Sequence, residues 1–219
     1  MARTTDSQAE FAASDTAALS PRAAARRQAF LDAATEVFVS EGYERASMTE
    51  IVRRAGGSLA TLYGQFGSKE GLMQAVIEAR SARNAAPLED VAARHLPVDQ
   101  ALELFAHRFL TTLMTRESLG MLRIIVGEGH RFPAIAAHFR RYGPERIVAV
   151  IASYLEDRAA VGEIVIPDAT VGAHEFLAIV RGPMHLRPIF EPDYWPQPHD
   201  IAAQARRGAE VFLNGVRPR

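Results

Sequence analysis

Apolar residues recur along most of this chain at helical spacing. Phe30, Ala33, Ala34, Val37 and Phe38 stand at i, i+3, i+4, i+7 and i+8, one stripe of an amphipathic helix that begins at Pro21 and stops at Gly42. Ser47-Met48-Thr49-Glu50 fits a capping box, and Ile51, Val52 and Ala55 then face inward until Gly56-Gly57 breaks the helix. Ser58 caps a third helix that carries Leu59, Leu62 and Phe66 on one face and closes at Gly67. Ser68 caps a fourth, with Glu70 near its positive end and Leu72, Val76 and Ile77 on the inner face. The polar stretch from Arg80 to Pro87 reads as the fading of that helix into an inter-domain connection.

The remainder repeats the pattern. Ala101, Leu102, Phe105, Phe109 and Leu113 form one stripe, and Leu119, Leu122, Ile125 and Val126 a second. Ile135, Ala136 and Phe139 lead across Gly143-Pro144, a kink or a fresh start, to Ile147, Val148, Ile151 and Leu155. The segment 162–167 (GEIVIP) is strand-like but too short and isolated to make a sheet. Asp168 caps a helix expected to run to Arg187 with a bend at Gly182-Pro183, and a last helix covers about His199 to Asn214. The expected fold class is all-α, with about nine helices: an N-terminal three-helix unit and a C-terminal helical bundle. Residues 1–19, rich in Ala, Ser, Thr and Asp, read as a disordered tail. The expected boundaries are 20–70 for the first domain and 71–219 for the second.

Composition narrows the chemistry. The chain has no cysteine, which removes disulfides, zinc fingers, iron–sulfur clusters and thiol catalysis together. No apolar run approaches the ~20 residues of a membrane helix, and no signal-peptide core is present, so a cytoplasmic location is the default expectation. His107, His130, His138, His174 and His185 show no metal-ligand spacing, and no Ser-His-Asp signature, phosphate loop or dinucleotide motif occurs. No metal, cofactor or enzymatic activity is expected. The formal net charge is -1, yet residues 22–69 hold seven cations (Arg22, Arg26, Arg27, Arg45, Arg53, Arg54, Lys69) against five acids (Asp32, Glu36, Glu41, Glu44, Glu50). That local excess agrees with a nucleic-acid partner without demanding one.

Two short helices joined by a three-residue glycine-containing turn meet the requirement of a helix-turn-helix. The turn is Gly56-Gly57-Ser58, and the second helix would present Ser58, Leu59, Ala60 and Thr61 to base edges in the major groove. The residues around it are specific. Phe38-x-x-x-Gly42-Tyr43, Met48-Thr49-Glu50-Ile51, Ala55-Gly56 and the run Thr61-Leu62-Tyr63-Gly64-Gln65-Phe66-Gly67-Ser68-Lys69-Glu70-Gly71-Leu72 resemble the N-terminal domain of TetR/AcrR transcriptional regulators. Gly127-Glu128-Gly129-His130-Arg131-Phe132-Pro133, Gly143-Pro144, Gly162-Glu163 and Arg181-Gly182-Pro183 resemble the C-terminal domain of the AefR-like branch. The resemblance implies that Tyr63 and Lys69 contact DNA phosphate, that Thr49 and Ser58 add hydroxyl contacts, and that Thr61 and Gln65 lie closest to the bases. Gln65 stands where many relatives carry histidine, Gly57 replaces a small branched residue, and Ala60 replaces a common glycine.

For the second domain the resemblance implies a small-molecule effector pocket and a homodimer seam. The pocket candidates are Phe105, Phe109, Met114, Met121, Tyr142, His174 and Arg181; a buried arginine in particular needs an anionic or carbonyl partner. The helices near 170–187 and 199–214 carry apolar faces (Val171, Phe176, Leu177, Val180; Ile201, Ala205, Val211, Phe212) that suit either a four-helix dimer seam or a bundle within one chain. The expectation is a one-component regulator, a repressor by family habit, that binds a palindromic operator in double-stranded DNA as a homodimer and is released by an effector. A helical protein-interaction adaptor and a helical enzyme are the alternatives.

Overall fold

The computed structural model describes residues 20–94, 96–191 and 193–217, so the N-terminal tail lies outside the described residues. Helices α1 (Pro21–Glu41), α2 (Met48–Ala55) and α3 (Leu59–Phe66) form the N-terminal unit together with the start of α4 (Lys69–Ala93). The bundle continues through α5 (Val98–Leu113), α6 (Arg116–Glu128), α7 (Pro133–Tyr142), α8 (Pro144–Ala160), α9 (Ala169–Arg181), the single turn α10 (Arg187–Phe190) and α11 (Pro198–Val216). The described residues contain no strand, so the all-α expectation holds; the strand-like 162–167 segment stays irregular, with Val165 donating to the Val216 carbonyl at 2.7 Å.

The starts of the short helices follow their serines. The hydroxyls of Ser47, Ser58 and Ser68 accept the N–H groups of Glu50, Thr61 and Gly71 at 3.4, 3.1 and 3.0 Å, each satisfying one of the orphan donors of a first turn. At Ser47 only half of the expected box forms, because the Glu50 carboxylate turns to Arg53 and Arg54 instead of back to the cap.

Two apolar clusters fill the molecule. The first gathers Phe30, Val37, Phe38, Ile51, Leu62 and Leu72 and also takes in Met121 and Ile124 of α6 and Ile135 of α7. The second is built from Leu102, Phe105, Ile151, Leu155, Phe176 and Phe212, from α5, α8, α9 and α11. Helix α4 belongs to both. The expected connection at Arg80–Pro87 is therefore an unbroken stretch of α4, whose buried Ser81, Ala85, Leu88 and Val91 run at helical spacing into the second cluster. Pro87 sits inside it and removes one backbone hydrogen bond without ending it.

Two further expectations change. Helix α9 stops at Arg181 rather than running to Arg187, because Gly182 takes φ +48° and turns the chain into the 182–186 connection. At Gly143 the chain makes the fresh start, not the kink: α7 ends at Tyr142 and α8 begins with Pro144 in its first turn. Phe176, Leu177, Val180, Ala205 and Phe212 are buried within their own chain, which leaves Val171, Ala178, Ala203 and Val211 on the outer face of α9 and α11. Gly208 lets those two helices touch, since a Cβ there would lie 3.0 Å from the Val180 Cα.

Candidate nucleic-acid interface and adjoining cavity

The turn before α3 is held from α1. The Arg26 guanidinium donates to the Ala55 carbonyl at 3.2 Å, and Gly57, at φ +104°, lies under the Phe30 ring; a Cβ on it would stand 3.1 Å from Phe30 Cζ. A side chain at Gly57 would press on the Phe30 ring and take a positive φ that L residues rarely adopt. Leu62 and Phe66 anchor α3 in the core, which turns Leu59, Ala60, Thr61 and Tyr63 to solvent; Leu59 and Tyr63 are exposed by 38% and 45%. Helix α2 brings Thr49 to the surface as well.

The polar groups of this surface are partly committed. Ser58 Oγ caps α3 and lies 2.9 Å from Thr61 Oγ1, so one of the two hydroxyls donates to the other and the pair keeps lone pairs for a further donor. Gln65 is half-buried and its Oε1 has no partner among the described residues; this oxygen faces the protein rather than the solvent expected of a base reader. Lys69 Nζ donates to the Glu44 carbonyl at 2.8 Å and sits 5.0 Å from the centre of the Tyr43 ring. Partial burial lowers its pKa, and Glu128 and Glu44 oppose that shift. An ammonium has three donors, so two remain after the Glu44 contact. Arg53 and Arg54, left out of the expected site, both donate to Glu50 at 2.7 Å and hold its carboxyl down at about 2.

The sequence pattern does not mark Glu128 as part of this site, which it joins from α6. The Glu128 carboxylate at the end of α6 accepts the N–H groups of Tyr43 and Glu44 at 3.1 and 2.8 Å, while Arg131 pairs with the Glu44 side chain and Phe132 meets the Tyr43 ring edge-on at 4.7 Å. The 128–132 segment thus grips the α1–α2 connection to which Lys69 also binds. The Gly127–Pro133 motif was the signal for this contact, but a motif does not say which loop it meets.

Helix α6 also walls a cavity of about 190 Å³. Helix α4 contributes Ile77, Arg80, Ser81 and Asn84; α5 gives Phe109 and Leu113; α6 gives Ser118, Met121 and Leu122. Phe139, Pro144 and Ile147 close another side, with Arg181 and His185 at the end of α9 and beyond. Of the seven expected pocket residues, Phe109, Met121 and Arg181 line this cavity. The other four lie elsewhere: Phe105 is buried edge-on to Tyr154 at 5.1 Å, Met114 is buried at the end of α5, Tyr142 stacks on His138 at 4.3 Å, and His174 is exposed on α9. Burial, reinforced by the Arg181 charge, pushes His185 below its ordinary pKa against its hydrogen bond with the Gly182 carbonyl at 3.2 Å.

An exposed second helix on a glycine turn, backed by a helical bundle with a partly open cavity between its helices, defines a helix-turn-helix DNA-binding regulator. The chain belongs to the TetR family. Its residues 30–76 match the model of bacterial regulatory proteins of the tetR family, and residues 100–215 match the C-terminal domain of the AefR-like transcriptional repressors. It is 33% identical over 145 residues to the HTH-type transcriptional regulator UidR of Escherichia coli, a match that spans 63% of this chain and 68% of the relative. Among solved structures, a TetR-family regulator from Mesorhizobium loti superposes with a TM-score of 0.83 at 25% identity, covering 91% of this chain and 100% of that one. The flavonoid-responsive regulator FrrA gives a TM-score of 0.70 at 30% identity, covering 89% and 98%. These relatives are transcriptional regulators, not enzymes, and no helix of the described residues is long and apolar enough to cross a membrane.

Proposed function

We propose that this regulator is a cytoplasmic repressor that binds a two-fold operator as a homodimer and leaves it when a small molecule enters the cavity between α4, α5, α6 and α8. The observation that carries the DNA half is the exposed first half of α3, where Leu59, Ala60, Thr61 and Tyr63 face solvent on a helix otherwise anchored by Leu62 and Phe66. In this reading Thr61 approaches base edges together with Gln65, after a turn of the Gln65 amide. Thr49, Ser58, Tyr63 and Lys69 hold phosphates. Helix α6 supports the release half: it walls the cavity with Met121 and ends in Glu128 on the α1–α2 connection, so a ligand that shifts α6 acts on the recognition unit. The responsiveness of FrrA to flavonoids, given in its name, agrees with an effector-controlled relative. A coupling of about 1–3 kcal/mol changes operator occupancy five- to 150-fold. Gel shift and footprinting on DNA upstream of the regulator's own gene, at stated salt, test the proposal. The expected result is a symmetric protected site bound at least ~10³-fold more tightly than random DNA; absence of binding at every salt concentration refutes it.

A further inference from the structure

We propose that the cavity takes an amphipathic monocarboxylate with an apolar body about the size of one substituted benzene ring; the inference rests on reading the cavity as the effector site. Two arginines, Arg80 and Arg181, are on its wall, and none of the residues lining it is an aspartate or glutamate. Each guanidinium carries five N–H donors. Arg80 uses one, to Ser118 Oγ at 3.2 Å, and Arg181 uses one, to the Leu177 carbonyl at 3.2 Å. Neither has a carboxylate within ion-pair distance among the described residues, although ten other arginines do. Both are half-buried, and burial lowers the Arg80 pKa. Glu117 acts on Arg80 only from beyond ion-pair distance and does not outweigh its burial; a partly desolvated cation without a paired carboxylate is costly, and an anion that enters offsets the cost.

The rest of the wall sets the other half of the ligand. Ile77, Phe109, Leu113, Leu122, Phe139 and Ile147 offer only apolar surface. An apolar cavity of about 150 Å³ holds one benzene molecule, so about 190 Å³ admits a ring with a short acidic side chain or a chain of similar bulk. A planar guanidinium matches a carboxylate through two parallel hydrogen bonds, whereas a neutral amide keeps the shape and loses the charge.

Calorimetric titration of the full chain with cinnamate and octanoate, and with cinnamamide and octanamide as neutral counterparts, tests the assignment. At least one acid is expected to bind saturably, and its amide roughly tenfold or more weaker. Whichever acid binds more tightly identifies a ring or a chain as the apolar body. Arg80→Met is expected to weaken the acid by roughly 10- to 100-fold, the worth of a charge-assisted hydrogen bond, and to weaken the amide, which loses only a neutral one, several-fold less. Arg80→Lys is expected to fall between, because it keeps charge without the fork. Thermal unfolding checks that the variant is folded, and Arg181→Met provides the same reading from the opposite helix. Amides that bind as tightly as the acids, or acids that do not bind at millimolar concentration, overturn the ligand class. A gel shift run in parallel separates the two claims. Acids that bind yet leave the operator complex intact uphold the ligand class and sink effector release.

Discussion

Three residues carry consequences that can be measured one at a time. Lys69 holds the Glu44 carbonyl with one of its three donors, so its charge is positioned beside the α1–α2 connection rather than swinging free. Lys69→Ala is expected to weaken binding to all DNA sequences alike and to reduce the log–log salt slope by about one, because a phosphate contact releases about one counterion. An unchanged slope in a salt titration assigns Lys69 to structure alone. Gly57 stands at φ +104° against Phe30. Gly57→Ala is expected to cost about 1–2 kcal/mol, since an L side chain is strained at positive φ; a midpoint of thermal unfolding unaffected by the substitution refutes the strain. His185 gives a pH dependence. In the unfolded chain it titrates near 6.5, and in the fold burial holds it lower. Between those values the unfolded chain binds the extra proton, so stability is complete above pH ~6.5 and declines as the pH falls below it. Urea midpoints measured from pH 7.5 down to 5 are expected to fall in wild type and to fall less in His185→Gln.

At the scale of elements, Glu128 joins two units that look separate along the chain. It closes α6 and accepts two N–H groups from the connection between α1 and α2. Glu128→Ala leaves those donors to solvent or unpaired and is expected to destabilise the N-terminal unit by about 1–3 kcal/mol. Glu128→Gln keeps one acceptor oxygen and sets its NH2 donor against the other backbone N–H, so it is expected to lose at least half of that; a Gln variant as stable as wild type in urea unfolding shows that the paired acceptors do not hold the connection. This contact also marks where sequence reading stops. Local signals spoke clearly: the serines at 47, 58 and 68 cap helices as their positions suggest, and the Phe30–Phe38 stripe is buried. Helix α4 was harder, because its buried face over 81–91 is made of Ser81, Ala85, Leu88 and Val91, half of them small, and Pro87 looks like a stop. The cavity was harder still. Its polar wall (Arg80, Ser81, Asn84, Ser118, His185) comes partly from that unrecognised stretch of α4, and its members meet only through contacts between distant helices. A period of 3.6 residues tells which face is inward, not which helix it meets.

The proposed two-fold operator places a demand on the whole molecule, since it requires a protein with two recognition helices one turn of DNA apart, ~34–36 Å. A single chain has one. The packing of α9 against α11 leaves Val171 and Ala178 of α9 and Ala203, Arg207 and Val211 of α11 exposed, while their neighbours Phe176, Val180, Ala205 and Phe212 are buried. Positions 171 and 178, and 203, 207 and 211, repeat at helical spacing, which makes each set a stripe along its helix. In the proposed homodimer a second copy covers these stripes by two-fold rotation in a four-helix seam, and an isologous seam doubles the effect of any substitution in it. Ala178→Glu places a carboxylate and its symmetry copy in that seam, where like charge and added bulk oppose closure. Sedimentation is expected to show a dimer in wild type and a monomer in the variant, with the circular dichroism of both alike. Operator affinity is expected to fall at least ~100-fold, because loss of the second site removes the gain from bivalent binding, while weak binding to random DNA persists. A variant that remains dimeric with full operator affinity moves the seam off α9 and α11, and the spacing of the recognition helices must then be set by another surface.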